Sequence, residues 1–298
     1  MERITLTLKR PAGCRALLVS LILLAALGAP VGCSGLVSSA MDDLAGSITG
    51  AIEDSDDLET VASGIPAYLL MVEGLAQDNP QNASLQRTAA NLNSAYATLF
   101  VEEPQRKQQM ALKALNYAFQ AVCIRRQRIC ELRGARFNAF AQALEVTDRK
   151  DVANLYVLGS AWAGWIQAGR EDMNAIAQLP YVEAVIQRVA DLDETYDDGG
   201  VHIYLGVLAT LLPPSLGGKP EVARQHFERA VALSNGENLM AKVVFAERYA
   251  RLVFDRDLHD RLLEEVLDTD PHVPGRTLSN TYAQRRAREL LASGENYF

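Results

Sequence analysis

Hydrophobic residues recur every three or four positions along almost the whole chain after residue 57, which is the spacing of one face of an α-helix. No stretch alternates hydrophobic and polar residues between hairpin turns, so the sequence predicts no sheet. The pattern predicts helices over 58–77, 83–99, 104–122, 132–145, 150–168, 180–192, 200–212, 220–233, 238–253, 257–268 and 277–293. We therefore expect an all-α fold.

Residues that favour helix ends support these boundaries. Asn82 and Asp257 are expected N-caps, because short polar side chains accept hydrogen bonds from the first free backbone amides of a helix. Pro180 and Pro220 suit the first turn of a helix, where the missing amide hydrogen carries no penalty.

The helices are expected to pack in pairs. Ala223, Phe227 and Ala230 have the small–large–small spacing that is typical of the second helix of a tetratricopeptide unit, and residues 111–118 repeat it. Small residues let two helices approach, and the large residue fills the neighbouring groove. The period between units is uneven, and residues 212–219 interrupt it. The sequence predicts a tetratricopeptide-like array of helical pairs with degenerate repeats over 58–298.

The N-terminus has the pattern of a bacterial lipoprotein signal. Four basic residues precede an uncharged stretch at 16–31, and Gly32 precedes Cys33. A membrane-spanning helix needs about 20 apolar residues, so this stretch is short for one. We predict a signal peptide over 1–32 and lipid attachment at Cys33. Pro30 stands where a lipobox usually has Leu, which leaves ordinary cleavage or an uncleaved anchor as alternatives.

The residue after Cys33 indicates the destination. In Gram-negative bacteria, a residue other than Asp directly after the lipidated cysteine resembles the pattern of transfer to the outer membrane, and Ser34 stands at this position. We expect a periplasmic protein on the inner leaflet of that membrane, with the lipid as its sole membrane contact. Residues 33–57 form a Ser-, Gly- and Asp-rich tether with a helical stripe that includes Ile48 and Ile52. Its acidic polar face favours packing on the domain over lying on the membrane.

Charge excludes one large class of partners. The whole chain has a net charge of −8, and removal of the leader, with four basic residues and one acidic residue, makes it −11. Such a domain repels phosphate backbones and anionic lipid surfaces. We therefore expect no nucleic-acid binding.

Two cysteines remain for the folded domain. Cys123 and Cys130 are seven residues apart, which in an unbroken helix is about 10.5 Å and beyond the roughly 7 Å limit between the Cα atoms of a disulfide. A bridge requires the helix to break between them. The sequence leaves a disulfide and two buried thiols as alternatives.

No pattern indicates catalysis, a cofactor or a metal. The four histidines lack partners at metal-ligand spacing and are expected at surface or capping positions. The acidic run at 191–202 resembles a calcium loop, but Tyr196 stands where such a loop needs Gly, and His202 where it needs Glu. We interpret the run as a solvated turn between helices.

A group of aromatic and proline residues is the candidate binding cleft. It comprises Trp162, Trp165, Tyr204, Pro213 and Pro214. The two tryptophans share one helical face, which more often indicates a core position than a ligand site, so both interpretations are kept. By default, the prolines only end a helix before a long connection, which could also line a binding surface.

Taken in order, five segments resemble the TatT component family, which comprises lipoproteins associated with TRAP transporters. The segments are Gly159–Ile166, Leu192–Gly199, His202–Gly206, Leu212–Gly218 and Ala223–Ser234. The resemblance covers roughly residues 55–298, and Cys123 and Cys130 are not part of it. It implies a helical, tetratricopeptide-like periplasmic protein that associates with the solute-binding protein of the transporter. It also implies an oligomer and a central cavity for hydrophobic or organic-acid ligands.

The predicted function is that of an accessory binding component of a TRAP-type solute transporter, without catalysis. One alternative is an outer-membrane scaffold that holds envelope-assembly or peptidoglycan enzymes on helical repeats. A second is a carrier for a hydrophobic ligand, with Trp162, Trp165 and Tyr204 lining its cavity.

Overall fold

Helices form the regular structure of the computed structural model, which describes residues 46–212 and 214–298, and no strand occurs among these residues. The α-helices are α1 (46–53), α2 (Leu58–Asp78), α3 (Ala83–Leu99), α4 (Pro104–Arg125), α5 (Gln127–Glu131), α6 (Phe137–Glu145), α7 (Val152–Ala168), α8 (Met173–Ile176), α9 (Leu179–Asp193), α10 (Gly200–Ala209), α11 (Pro220–Leu233), α12 (Leu239–Val244), α13 (Arg256–Asp268) and α14 (Thr277–Tyr297). The predicted all-α fold is confirmed. The predicted signal peptide 1–32, Cys33 and Pro213 lie outside the described residues.

Neighbouring helices pack against each other through two hydrophobic cores. The first core is built mainly by α2 to α10, where α3 packs on α4 and α7 packs on both α4 and α9. The second core is built by α11 to α14 and the π-helical segment Phe245–Ala250 that continues α12. Helix α10 contributes to both cores, because Val201 and Leu205 belong to the first and Val207 packs on the second.

The small–large–small positions of the sequence lie inside these cores. Ala223, Phe227 and Ala230 are fully buried on α11, and Ala111, Leu115 and Ala118 are buried on α4. Close helix contact is therefore made where the spacing predicts it. The equivalence of these pairs to tetratricopeptide units stays a prediction.

Several helix boundaries differ from the prediction, and three of them have a clear local cause. The expected helix 132–145 begins at Phe137, because Gly134 adopts a left-handed φ of +79°, which interrupts a right-handed helix. Helix α10 ends at Ala209, and the hydroxyl of Thr210 donates to the carbonyl oxygens of Gly206 and Val207. The expected N-cap Asp257 is wrong, because it lies in the first turn of α13; the N-cap is Asp255, whose carboxylate accepts from the amide of Leu258 at 2.9 Å.

Three further boundaries follow the expected chemistry. Asn82 caps α3 by accepting from the amides of Ser84 and Leu85. Pro220 stands in the first turn of α11, and Pro180 in the first turn of α9. Both proline positions avoid the loss of a helical hydrogen bond.

The helix is interrupted between the two cysteines, where α4 ends and α5 begins. Arg126 departs from helical geometry, with φ −134° and ψ 62°, and brings the Cα atoms of Cys123 and Cys130 to 5.7 Å. The two Sγ atoms are bonded in a disulfide. Of the two alternatives for this pair, the structure contains the bridge.

Helix α1 comes from the predicted tether segment and packs on the first core. Ile48 and Ile52 contact this core, and the Thr49 hydroxyl lies 3.2 Å from that of Tyr68. The carboxylate of Asp54 accepts from the Gly275 amide just before α14. No helix within the described ranges is long and apolar enough to cross a membrane.

Candidate functional site

The turn at residues 196–200 joins α9 to α10 with an uncommon backbone. Asp197 and Asp198 both adopt left-handed conformations, with φ of 54° and 52°, and Gly199 follows with φ 79°. Aspartate tolerates this region better than most residues. A Cβ on Gly199 would come within 2.7 Å of Leu233, and one on Gly200 within 2.4 Å of the Tyr156 hydroxyl. Glycine is therefore required at both positions.

Around this turn lies the tyrosine–aspartate cluster, which we define as Tyr156, Tyr196, Tyr204, Asp197 and Arg276. The Tyr156 hydroxyl donates to the Asp197 carboxylate at 2.6 Å, and the Tyr156 ring packs edge-on against those of Tyr196 and Tyr204 at 5.2 and 5.9 Å. Arg276 donates to Asp197 at 2.8 Å and to Asp198 at 2.7 and 2.9 Å. The cluster thus joins α7, the 196–200 turn and the beginning of α14.

The electrostatics keep the tyrosine hydroxyls protonated. Burial, and then the charge of Asp197, raise the pKa of Tyr156 well above its usual value, and burial raises the pKa of Tyr204 to about 12. Burial alone would lower the pKa of Arg276, but Asp197 and Asp198 raise it overall. The cluster therefore presents hydrogen-bond donors and paired charges, which suit binding more than proton transfer.

Helix α1 brings one further carboxylate close to this cluster. Although Glu53 is largely exposed, partial loss of hydration and then the negative charges of Asp197 and Asp54 raise its pKa. The segment that follows the predicted lipid site is therefore electrostatically coupled to the turn.

A histidine pair lies between α10 and α11. The Nδ1 atoms of His202 and His226 are 3.0 Å apart, and the rings stack at a centroid distance of 5.2 Å. The Nε2 atom of His202 lies 3.2 Å from the Glu194 carboxylate, which Arg229 also contacts. Burial lowers the pKa of both histidines, so one Nδ1 donates a hydrogen to the other at neutral pH.

The expected surface or capping role is wrong for two of the four histidines. His202 is 7% exposed, and His259 is fully buried, with Nδ1 2.8 Å from the carboxylate of Asp260. The partners of His202 come from other helices, so no local spacing reveals them. Among the residues that the structure describes, no group of three or more His, Cys, Asp or Glu could hold a metal.

The residues of the predicted cleft fall into separate groups of contacts. Trp162 is 2% exposed, packs against Phe119 and Phe140, and donates from Nε1 to the Gln178 side chain at 2.8 Å. Trp165 is half-buried against the first core, and Tyr204 belongs to the tyrosine–aspartate cluster. Pro214 is exposed in the short 3₁₀ turn Pro214–Leu216. A ligand cleft among these residues stays a prediction.

Sequence reasoning named Tyr204 but missed Tyr156 and Arg276. Arg276 pairs with Asp198 across 78 residues of sequence, a separation at which no local pattern gives a signal. The double Asp followed by two Gly at 197–200 is the one local indication, because these residue types favour left-handed backbone.

Comparison with known proteins identifies the family of this chain. The sequence matches the family described as TAtT: TRAP transporter T-component, over residues 54–298. The chain belongs to this family. The resemblance noted from the sequence segments is thereby confirmed, and the family implies an accessory role in a TRAP transporter and association with it. The T-component family is a transporter component and not an enzyme family.

A relative from Treponema pallidum (strain Nichols) extends the similarity along most of both chains. That protein, described as uncharacterized, is 27% identical over 276 residues, which cover 84% of this chain and 83% of the relative. The match therefore extends over most of the helical domain.

Proposed function

We propose that this T-component is a periplasmic lipoprotein that contacts the solute-binding protein of a TRAP-type transporter and acts by binding, without catalysis. The match of residues 54–298 to the T-component family carries the proposal, because an accessory component of a transporter acts through contact. The basic leader and Cys33 support lipid attachment, and Ser34 supports the inner leaflet of the outer membrane as the destination.

The loop between α10 and α11 is the contact surface in this proposal. Leu211 and Leu212 are 43% and 49% exposed, and Pro214 and Ser215 beside them are also exposed. The Lys219 amide closes the loop by donating to the Ala209 carbonyl at 2.9 Å. Adjacent large apolar side chains on an exposed loop are typical of a protein–protein interface.

Site-specific cross-linking in intact cells tests this surface. A photo-reactive amino acid at Ser215 of the full-length chain is expected to capture the TRAP solute-binding protein. The matched control places the same residue at Met173, which is 75% exposed on α8. Equal products from both positions, or a solute-binding protein captured from neither, would contradict the proposed contact.

Metabolic labelling with a palmitate analogue tests the anchor separately. Cys33→Ser is expected to abolish labelling, because the thiol is the acylation site in the proposal. Cys14→Ser, in the leader, is the control and is expected to keep full labelling. Label that persists on the Cys33→Ser protein would exclude lipid attachment at this residue.

A further inference from the structure

A cavity of about 370 Å³ lies where the end of α2, the start of α3 and the middle of α4 meet. It is separate from the tyrosine–aspartate cluster and from the 210–219 loop. Most of its lining residues carry a polar group, namely Gln77, Gln86, Lys113, Asn116, Tyr117 and Gln120. The volume is far above that of one water and at the lower end of ligand sites, which begin near about 300 Å³.

Two deeply buried side chains of this wall have a polar atom that no described residue satisfies. Gln86 is 1% exposed; its Nε2 donates to the Ala76 carbonyl at 2.8 Å, and its Oε1 has no donor. Tyr117 is 8% exposed, and its hydroxyl bonds to none of the described residues. A buried acceptor without a partner is costly, so Gln86 Oε1 favours a bound polar molecule. The Tyr117 hydroxyl lies on the same wall and is free to bond to such a molecule.

The charges at the cavity cancel. Lys113 Nζ lies 2.9 Å from a carboxylate oxygen of Glu73, which is itself buried and also accepts from Asn93. Asn116 accepts from Arg133 through Oδ1 at 3.0 Å, which leaves its Nδ2 hydrogens for another partner. The wall therefore offers acceptors at Gln86 and donors at Asn116 and Lys113, without an unpaired charge.

We propose that this cavity binds a small, uncharged, hydroxyl-rich solute such as a polyol or a monosaccharide. Each hydroxyl group both donates and accepts a hydrogen bond, so one molecule satisfies Gln86 Oε1, the Tyr117 hydroxyl and Asn116 Nδ2 together. A carboxylate has no hydrogen for Gln86 Oε1, and an apolar ligand leaves all three atoms unpaired. The proposal goes beyond the transporter contact and does not depend on it.

Saturation-transfer NMR and calorimetry on the full chain, with glycerol, D-glucose and myo-inositol as probes and succinate as the charged comparison, test the site. We expect saturable binding of at least one hydroxylated probe and none of succinate. Tyr117→Phe is expected to weaken that binding about 5- to 10-fold, because it removes one hydrogen-bonding group. Tyr282→Phe on α14, outside the cavity, is expected to leave it unchanged.

A second variant keeps the test valid if Tyr117→Phe fails to fold by circular dichroism. Asn116→Ala changes an exposed residue of the cavity rim and is expected to weaken the same probe by a similar factor. The proposal is overturned if none of the three hydroxylated probes binds, which means that the cavity holds water alone. It is also overturned if succinate binds as tightly, or if the folded cavity variant binds like the unchanged protein.

Discussion

Gly206 lies where α10 meets α11, and a Cβ at this position would come within 2.7 Å of the Phe227 ring. That ring is fully buried and stacks on Phe245, so it has little room to move. We expect Gly206→Ala to lower the free energy of unfolding by about 1–3 kcal/mol, measured by urea denaturation.

Gly164→Ala on α7 is the matched control for this prediction. A Cβ there would meet nothing within 4 Å, so alanine is expected to raise the free energy of unfolding by about 0.5–1 kcal/mol through its higher helix propensity. Equal destabilisation by both substitutions would contradict the role of the Gly206–Phe227 approach.

The histidine pair predicts a pH dependence of stability. Burial lowers the pKa of His202 and His226 in the folded protein, so as the pH falls through about 6.5 the unfolded chain binds protons that the folded chain does not. The free energy of unfolding is therefore expected to fall between pH of about 7.5 and 5.5. His226→Gln should reduce this decline, as measured by urea denaturation at both pH values.

The exposed His272 serves as the control for that experiment. Hydrogen bonds that the His272 ring donates to the carboxylates of Asp270 and Asp56 raise its pKa. Its contribution to the free energy of unfolding therefore has the opposite sign and is present at low pH. His272→Gln is expected to preserve the decline or steepen it. A decline that His272→Gln removes and His226→Gln leaves intact would contradict the assignment.

At the scale of elements, the disulfide between α4 and α5 closes a short loop. By chain entropy, closing eight residues stabilises the fold by about 2.5 kcal/mol. We expect the double variant Cys123→Ala with Cys130→Ala to lose this amount in urea denaturation. Dithiothreitol should lower the free energy of unfolding of the unchanged protein to that of the variant and leave the variant unaffected. Equal sensitivity of the two proteins to dithiothreitol would contradict the prediction.

The longer helices could be predicted from sequence because each buries one face, and this imposes a 3.6-residue period that is readable locally. The short helices α5 and α8 were not predicted, because four or five residues are too few to show that period. The start of α6, which follows Gly134, and the start of α13, which Asp255 caps, were harder to locate. The left-handed φ of Gly134 and the capping hydrogen bond of Asp255 decide them. The candidate site could be predicted only in part. Tyr204 was named, but the ion pairs of Arg276 and the contact of His202 with His226 join residues that only the packing of helices brings together.

At the scale of the whole molecule, the two cores share structural elements. Helix α10 has side chains in both, and Leu278 of α14 is buried in the first core while Ala283 and Ala287 are buried in the second. Disrupting one core therefore exposes apolar surface of the other. We expect residues 45–298 to unfold as one cooperative unit.

Two spectroscopic signals test this cooperativity. Trp162 and Trp165, the two tryptophans of the chain, both contact the first core, so tryptophan fluorescence reports that core, while far-ultraviolet circular dichroism reports all helices. The two urea transitions are expected to have the same midpoint. A fluorescence transition that is displaced from the circular dichroism transition would show that the cores unfold separately.

The salt bridges at the 196–200 turn also bear on the chemical ageing of the polypeptide. An Asp–Gly sequence isomerises when the glycine nitrogen attacks the aspartyl carboxyl carbon to close a succinimide ring. At Asp198 and Gly199, Arg276 holds the carboxylate through two hydrogen bonds, and the left-handed backbone is fixed by close packing against Leu233. The Asp198–Gly199 linkage is thereby held in a geometry that slows ring closure.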